Sequence, residues 1–380
     1  MNGDNPMLRT FAFTTLTLGL SVASHAASSV RIYGTVDSGL YYQSTSAASF
    51  NPSAADKGSV YGLKDGGVNS SIWGVSGKED LGSGYSAHFK FQGAFNTKNG
   101  ATGITDVAGS TSVFNQITSV GLTGPFGDLN VGRQIAPMAF ALFYTDVRTA
   151  SNFGSVRTAW NSLNYRAGFP GTTTRKYIGG LFESNALVYT SPKYGGFYVM
   201  GEYTFGEVAG NSKSGSRRSA VLLYSKDGLN AAAAYYAGYD TALAAGSTPT
   251  GKMDNRYIYL GGKYTTGPLS VSTSISNGQN PDRVKEINLN LYTIGVGYKF
   301  TPTFQMTSSV FYTKDKNNNI NKSTLFSIGG EYQLSKRTAF YAQLGHVNNE
   351  GTMNQEIAFA MPVAPGKKTT TTNLGIRHTF

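Results

Sequence analysis

The sequence predicts an all-β fold, a 16-stranded antiparallel transmembrane β-barrel. Three observations predict it: runs of about ten residues that alternate apolar and polar, a composition poor in charge and rich in aromatics, and very short turns that alternate with longer polar loops. Side chains on a strand point to opposite faces in turn, so a two-residue period gives one face to lipid and the other to water. Transmembrane strands need roughly 9–11 residues, and their barrels have tight turns on one side and longer loops on the other.

The composition removes the competing classes. Charged residues are 14% of the 380, against about 25% in soluble domains. That is too few for a soluble surface of this size. Mean hydropathy is −0.22, which excludes a bundle of membrane helices. Gly (47 residues), Tyr (24) and Phe (22) suit alternating strands and their turns. There is no cysteine, so disulfides and thiolate metal sites are excluded.

The first 26 residues read as an export signal. Arg9 precedes the uncharged "TFAFTTLTLGLSVA", and Ser24 and Ala26 place small residues before a cut at Ala27. Met7 is an alternative start. The apolar run is short for a membrane span, and no later stretch reaches the 18 or so apolar residues that a transmembrane helix needs. The domain expected after cleavage is 27–380. A net charge of +11 does not point to nucleic acid here, because the chain is exported and carries no basic recognition helix. Small anions and anionic lipid are the better partners.

The expected strands run over about 29–41, 71–78, 85–95, 115–123, 129–134, 184–191, 197–205, 218–226, 229–239, 255–265, 268–276, 288–300, 303–313, 323–334, 338–347 and 371–380. In the first, Val30, Ile32, Gly34, Val36 and Leu40 share one face, and Arg31, Tyr33, Thr35, Asp37 and Tyr41 the other. In the third, His88, Lys90 and Gln92 face inward. Seven tight turns separate alternate pairs: "EDLGSG", "GPFGD", "SPKYGG", "SKDG", "TTGP", "TPT" and "LSKR". Seven is the number that puts both termini on the turn side. Tyr264, Tyr298, Phe300, Tyr312 and Tyr332 fall at strand ends, as in an aromatic girdle. The last run, with Leu374, Ile376 and the terminal Phe380 on one face, is the strand that must close the ring, because hydrocarbon permits no open sheet edge.

In order, "VRIYGTVDSGLYY", "WGVSGKEDLGSGYSAHFKFQ", "VGLTGPFGDLNVGRQ", "SNALVYTSPKYGGF", "YQLSKRTAFYAQLG" and "LGIRHTF" resemble the general porins of Gram-negative bacteria, of the beta-proteobacterial type. The resemblance implies an outer-membrane location, a homotrimer embedded in outer-membrane lipid and lipopolysaccharide, and recognition of the terminal aromatic by the barrel-assembly machinery. It implies a third loop folded into the lumen, here about 135–183, and passive diffusion of small hydrophilic solutes and ions. It also matches Arg133 to the family's constriction arginine, although alternation puts Arg133 in phase with Leu129 and Val131, so that placement requires a bulge or the strand's end. Ile72, Ser76 and Val188 stand where the family commonly has arginine, so the basic ladder of the wall is thinned.

Charge on the third loop is then expected to set a modest anion preference. The loop carries Arg148, Arg157, Arg166, Arg175 and Lys176 against Asp146. Arg31, Asp37 and Lys90 add to the lining from the wall. A solute-specific channel for small organic acids or other anionic or aromatic substrates is the alternative, with Tyr144, Phe153, Trp160 and Tyr165 as a stacking surface. No cofactor, no metal and no enzyme activity are expected. Three histidines survive export (His88, His346 and His378), the last two face outward, and no G-x-S-x-G elbow occurs.

Overall fold

The computed structural model describes residues 29–103, 112–166, 181–239, 251–282 and 287–380, and the side chains of helix α2 (Val156–Arg166) only up to 163. It is a closed antiparallel barrel. In chain order the strands are β1 (Ser29–Gln43), β2 (Val60–Asp65), β3 (Ile72–Gly82), β4 (Tyr85–Ala94), β5 (Ile117–Gly124), β6 (Gly127–Ile135), β7 (Phe182–Thr190), β8 (Phe197–Thr204) and β9 (Arg217–Lys226). They continue with β10 (Leu229–Tyr239), β11 (Met253–Thr266), β12 (Leu269–Gln279), β13 (Asn288–Lys299), β14 (Phe304–Asp315), β15 (Lys322–Gln333), β16 (Thr338–Glu350) and β17 (Lys368–Thr379). Apart from β2 and β3, which both pair with β1, each strand pairs with its sequence neighbours, and β17 returns to β1.

The seventeen segments make sixteen barrel strands because β2 and β3 are two halves of one. Both pair with β1: Ser38 opposes Asp65 in β2, and Thr35 opposes Ile72 in β3. The residues between the halves fold inward as a short insert. The sequence pattern reveals β3 but not β2, whose six residues fall below the length of a spanning strand. The alternation of β2 is nevertheless regular, with Tyr61 and Leu63 exposed and Lys64 buried.

Ring closure needs a residue without a side chain at Gly34. Backbone bonds run both ways between Gly34 and Phe380, at 3.0 and 3.1 Å. A Cβ on Gly34 would collide with the Phe380 ring, so the ring lies where a side chain would otherwise stand. The outer face is apolar, as the period requires. Val30, Ile32, Leu40, Ile294, Leu374 and Ile376 are all exposed on it. Tyr264, Tyr298 and Tyr332 are also exposed at the turn side, with Tyr298 packed edge-on against Phe300 at 4.9 Å. His346 and His378 bond Thr370 and Thr338, each at 2.9 Å and exposed.

Candidate functional site

The candidate site is the lumen. Two loops fold into it and divide its wall into an apolar half and a polar half. The first is the third loop, which is not structureless but carries helix α1 (Pro137–Thr145) and helix α2. Pro137 at the first helical position presets the helical φ. Met138, Ala141 and Leu142 of α1 are buried, and the helix packs on β8 to β12. Thr145 ends it with a 2.6 Å bond to the Tyr259 hydroxyl. The start of α2 is a reciprocal cap: the Ser155 hydroxyl accepts from Arg157 N–H at 3.1 Å, and the Thr158 hydroxyl accepts from Ser155 N–H at 3.1 Å.

Between the helices, Thr149 and Ala150 have positive φ, near +50°. The Asp146 carboxylate holds this tight turn, accepting N–H bonds from Arg148 (3.1 Å), Ala150 (3.0 Å) and Val156 (3.3 Å). Burial pushes its pKa up, and those N–H groups and the Arg148 charge pull it back. Arg148 is buried as well. Its guanidinium donates to the carbonyls of Phe153 (3.1 Å) and Thr307 (3.0 Å) and to Gln343. Burial pushes its pKa down to about 10, against the pull of Asp146. Asp146 and Arg148 are therefore clamps that seat the loop on β14 and β16.

The second inward loop joins β16 to β17, and no pattern in the sequence announces it. Met353 to Phe359 are all buried. The loop lies against the third loop through Gly154 N–H to the Ile357 carbonyl (2.7 Å), Phe359 N–H to the Asn152 carbonyl (2.8 Å) and Asn161 Nδ2 to Glu356 Oε1 (2.8 Å). Arg157 stacks on Phe359 at 4.3 Å and bonds Asn152 at 2.7 Å. Trp160, only 2% exposed, meets Tyr257 edge-on at 6.4 Å and anchors α2 to the wall. With Phe153 also buried, these two rings of the aromatic alternative pack the loop and are not presented to a solute. Together the two loops cover an apolar inner face that includes Leu223, Tyr257, Leu289 and Leu325.

Glu356 sits fully buried in this junction, with Asn161 on its Oε1 and the Ala360 backbone N–H nearby. Burial pushes its pKa up to about 8, against the pull of Asn161, Lys64 and Arg157. The folded state thus holds a proton that the unfolded state releases near the ordinary value of 4.5. Docking of the two loops is firmest at low pH, weakens as pH rises towards about 8, and levels off above it. Single-channel conductance is expected to become progressively noisier and larger as pH rises from about 4.5 to about 8, with no further change above that, and Glu356→Gln to remove the dependence.

The opposite wall remains polar. Arg31, Ser76, Lys90 and Ser119 lie in one cross-strand row through β1, β3, β4 and β5. Adjacent strands stand about 4.8 Å apart, so Arg31 and Lys90 are roughly 10 Å apart with Ser76 between them. The row contains no carboxylate. One step along, the Tyr33 hydroxyl reaches across Gly74 to Gln92 Oε1 at 3.1 Å, and Lys90 Nζ lies 5.4 Å from the Tyr33 ring centre. A Cβ on Gly74 would be 2.6 Å from that hydroxyl, which is why glycine stands there. His88 bonds Asp128 at 2.8 Å on the same wall.

The other expected lining residues lie elsewhere. Asp37 faces inward but is fully buried under the insert after β2. Its carboxylate accepts N–H bonds from Gly67 (3.0 Å), Val68 (3.0 Å) and Asn69 (2.8 Å) and a bond from the Tyr341 hydroxyl (2.7 Å). Arg133 does have a bulge beside it, but the extra residue is on β7: Gly132 opposes Ala186 and Gln134 opposes Glu183. Arg133 stays opposite Thr118, in phase with the exposed Val131. Its guanidinium lies over Phe182 at 5.7 Å and bonds the Asn115 carbonyl and Ser184, each at 2.8 Å. That holds it at the outer rim of β6 and not in the lumen. Arg166 closes α2, and nothing is described of its side chain; Arg175 and Lys176 lie outside the described residues.

Arg377 is an addition to the expected lining, although alternation places it on the polar face of the last strand. It pairs with Glu331, bonds Asn69 at 3.2 Å and lines a polar cavity of about 430 Å³ with Arg148. Glu183 and Arg217 form a second inward ion pair, with the Tyr236 hydroxyl on Glu183 at 2.7 Å. Glu356 and the junction it occupies have no periodic signal to betray them.

Comparison with known proteins agrees with this architecture. The sequence pattern of the Gram-negative porins matches residues 12–352. Outer membrane porin protein 32 of Delftia acidovorans is 27% identical, over 96% of this chain and 97% of that protein. An outer membrane porin protein of Bordetella pertussis is 26% identical, over 98% of this chain and 100% of that protein. Among solved structures, the anion-selective porin from Comamonas acidovorans superposes with a TM-score of 0.76 at 25% identity, covering 93% of this chain and 100% of that one. OmpT of Vibrio cholerae, at 15% identity and a TM-score of 0.60, shares the fold. A closed barrel with a greasy exterior, a polar inner wall and an infolded third loop thus has its place: the chain belongs to the Gram-negative porins.

Proposed function

We propose that this porin carries small hydrophilic solutes and ions passively across the outer membrane, as a homotrimer, with a modest preference for anions set on the polar wall. The observation that carries the preference is the cross-strand row Arg31–Ser76–Lys90 on the polar face of β1, β3 and β4, two cations without a carboxylate. Fixed charge acts on a permeating ion only within about a screening length, roughly 8 Å at physiological salt. Charges bordering a narrowed lumen meet that condition and those on surface loops do not, and charged rings are the ordinary means of selectivity in such pores. The similarity to an anion-selective porin supports the same sign.

Reversal potential across a planar bilayer in a KCl gradient tests the reading. The purified protein is expected to give stepwise conductance with the anion sign. Ser76→Arg, which fills the gap in the row, is expected to raise the preference for chloride and narrow the conductance, and Ser76→Glu to lower the preference. A barrel that passes no ions sinks the proposal.

A further inference from the structure

We propose that the outer face of β14, β15 and β16 holds a site for one anionic diacyl phospholipid of the inner leaflet, with an acyl chain in a groove at the turn side and the phosphate on the β15–β16 turn. It rests on the barrel spanning a membrane but not on the channel's selectivity.

The groove is built into the wall. Outward positions on these strands are mostly large, yet Gly330 and Ala342 are small and stand directly opposite each other. Phe304, Tyr332 and Phe340 rise around them, and the cavity so formed measures about 480 Å³. That lies within the roughly 300–1,000 Å³ of sites for small molecules. A Cβ on Gly330 would lie 3.4 Å from the Phe304 ring and 3.7 Å from Met306, in ordinary contact, so a larger side chain fits at the floor of the groove without a clash.

Charge names the occupant. The turn joining β15 to β16 carries Lys336 and Arg337 side by side, both exposed, with no acid between Gln333 and Thr338. Neither takes part in an ion pair among the described residues. Glu331, the acid closest in sequence, points inward and is paired with Arg377. Short turns of such barrels face the periplasm, so these cations meet the headgroups of the inner leaflet while the groove meets its chains. A basic residue at a lipid surface attracts anionic headgroups roughly fivefold each.

Native mass spectrometry of the folded mature protein, titrated in parallel with phosphatidylglycerol and phosphatidylcholine of equal chains, tests this. The expected result is one tightly retained phosphatidylglycerol per chain, preferred over phosphatidylcholine by about 25-fold, roughly fivefold for each of the two cations. Lys336→Gln with Arg337→Gln is expected to abolish the preference, and Gly330→Leu to displace both lipids. Lys226→Gln, on another turn, is expected to change neither. Equal retention of the two lipids, or an equal loss with Lys226→Gln, overturns the site in favour of diffuse attraction. Bilayer conductance of each variant, expected unchanged, verifies folding and separates failure here from failure of the channel reading.

Discussion

Replacing Arg31 and Lys90 together by glutamate is expected to reverse the sign of the bilayer reversal potential, from chloride to potassium. Both residues lie in one row of the polar wall, roughly 10 Å apart across two strands. The double substitution moves that row from two positive charges to two negative ones. At about 4 Å in bulk water a unit charge contributes about 1 kcal/mol to a passing ion, and several-fold more at the lower effective dielectric of a confined lumen. A tenfold change in preference needs about 1.4 kcal/mol, so a modest anion preference is well inside what the row controls. Each single substitution is expected to move the potential part of the way, Lys90 less per charge because it is half-buried beside Tyr33. Arg148→Gln is expected to behave differently, releasing the loop from Thr307 and Gln343 and making the current noisy before it alters selectivity. A potential that stays put in the double variant would show that the filter lies elsewhere, with Arg377 the next residue to test.

Asp37→Ala is expected to cost about 3 kcal/mol of stability and to loosen the constriction. Four donors converge on this carboxylate, three of them backbone N–H groups of the insert. Hydrogen bonds to a charged acceptor are worth more than neutral ones, and the orphaned donors lie in a buried place. The insert also carries the far end of the third loop: Asn152 N–H reaches the Val68 carbonyl at 2.7 Å, and Asn152 Nδ2 reaches the Gly66 carbonyl at 3.0 Å. Loss of Asp37 therefore passes into the lumen, and larger, less steady conductance is expected beside a lower melting temperature. Tyr341→Phe, which removes one bond of the four, is expected to cost about 1 kcal/mol. Gly67 makes that hydroxyl's approach possible, since a Cβ there would collide with it. Unchanged melting and conductance in Asp37→Ala would remove Asp37 from this role.

The two variants also measure how far alternation carries a reading of function. Alternation turns Asp37, Lys90 and Arg31 to one and the same face of the wall. It has no means of telling a charge that faces water from one roofed by the insert, because the roof comes from residues that follow β2. At Arg133 the strand period and the family motif disagree, and the backbone keeps the period: the bulge absorbs its extra residue on β7. Arg148 is legible as loop charge, but its partners Thr307 and Gln343 lie 159 and 195 positions away in sequence.

From the sequence alone come the barrel, its strand count, the side on which the turns lie, the closing strand and the greasy and wet faces. All of these follow from a two-residue period imposed by lipid outside and water inside, which every strand obeys locally. The tertiary structure decided which half of the inner wall stays wet, that a second loop joins the first, and which charges remain to meet a passing ion. Those outcomes depend on how two loops pack against strands far from them in the chain, where helices, caps and buried carboxylates find partners that no local pattern encodes.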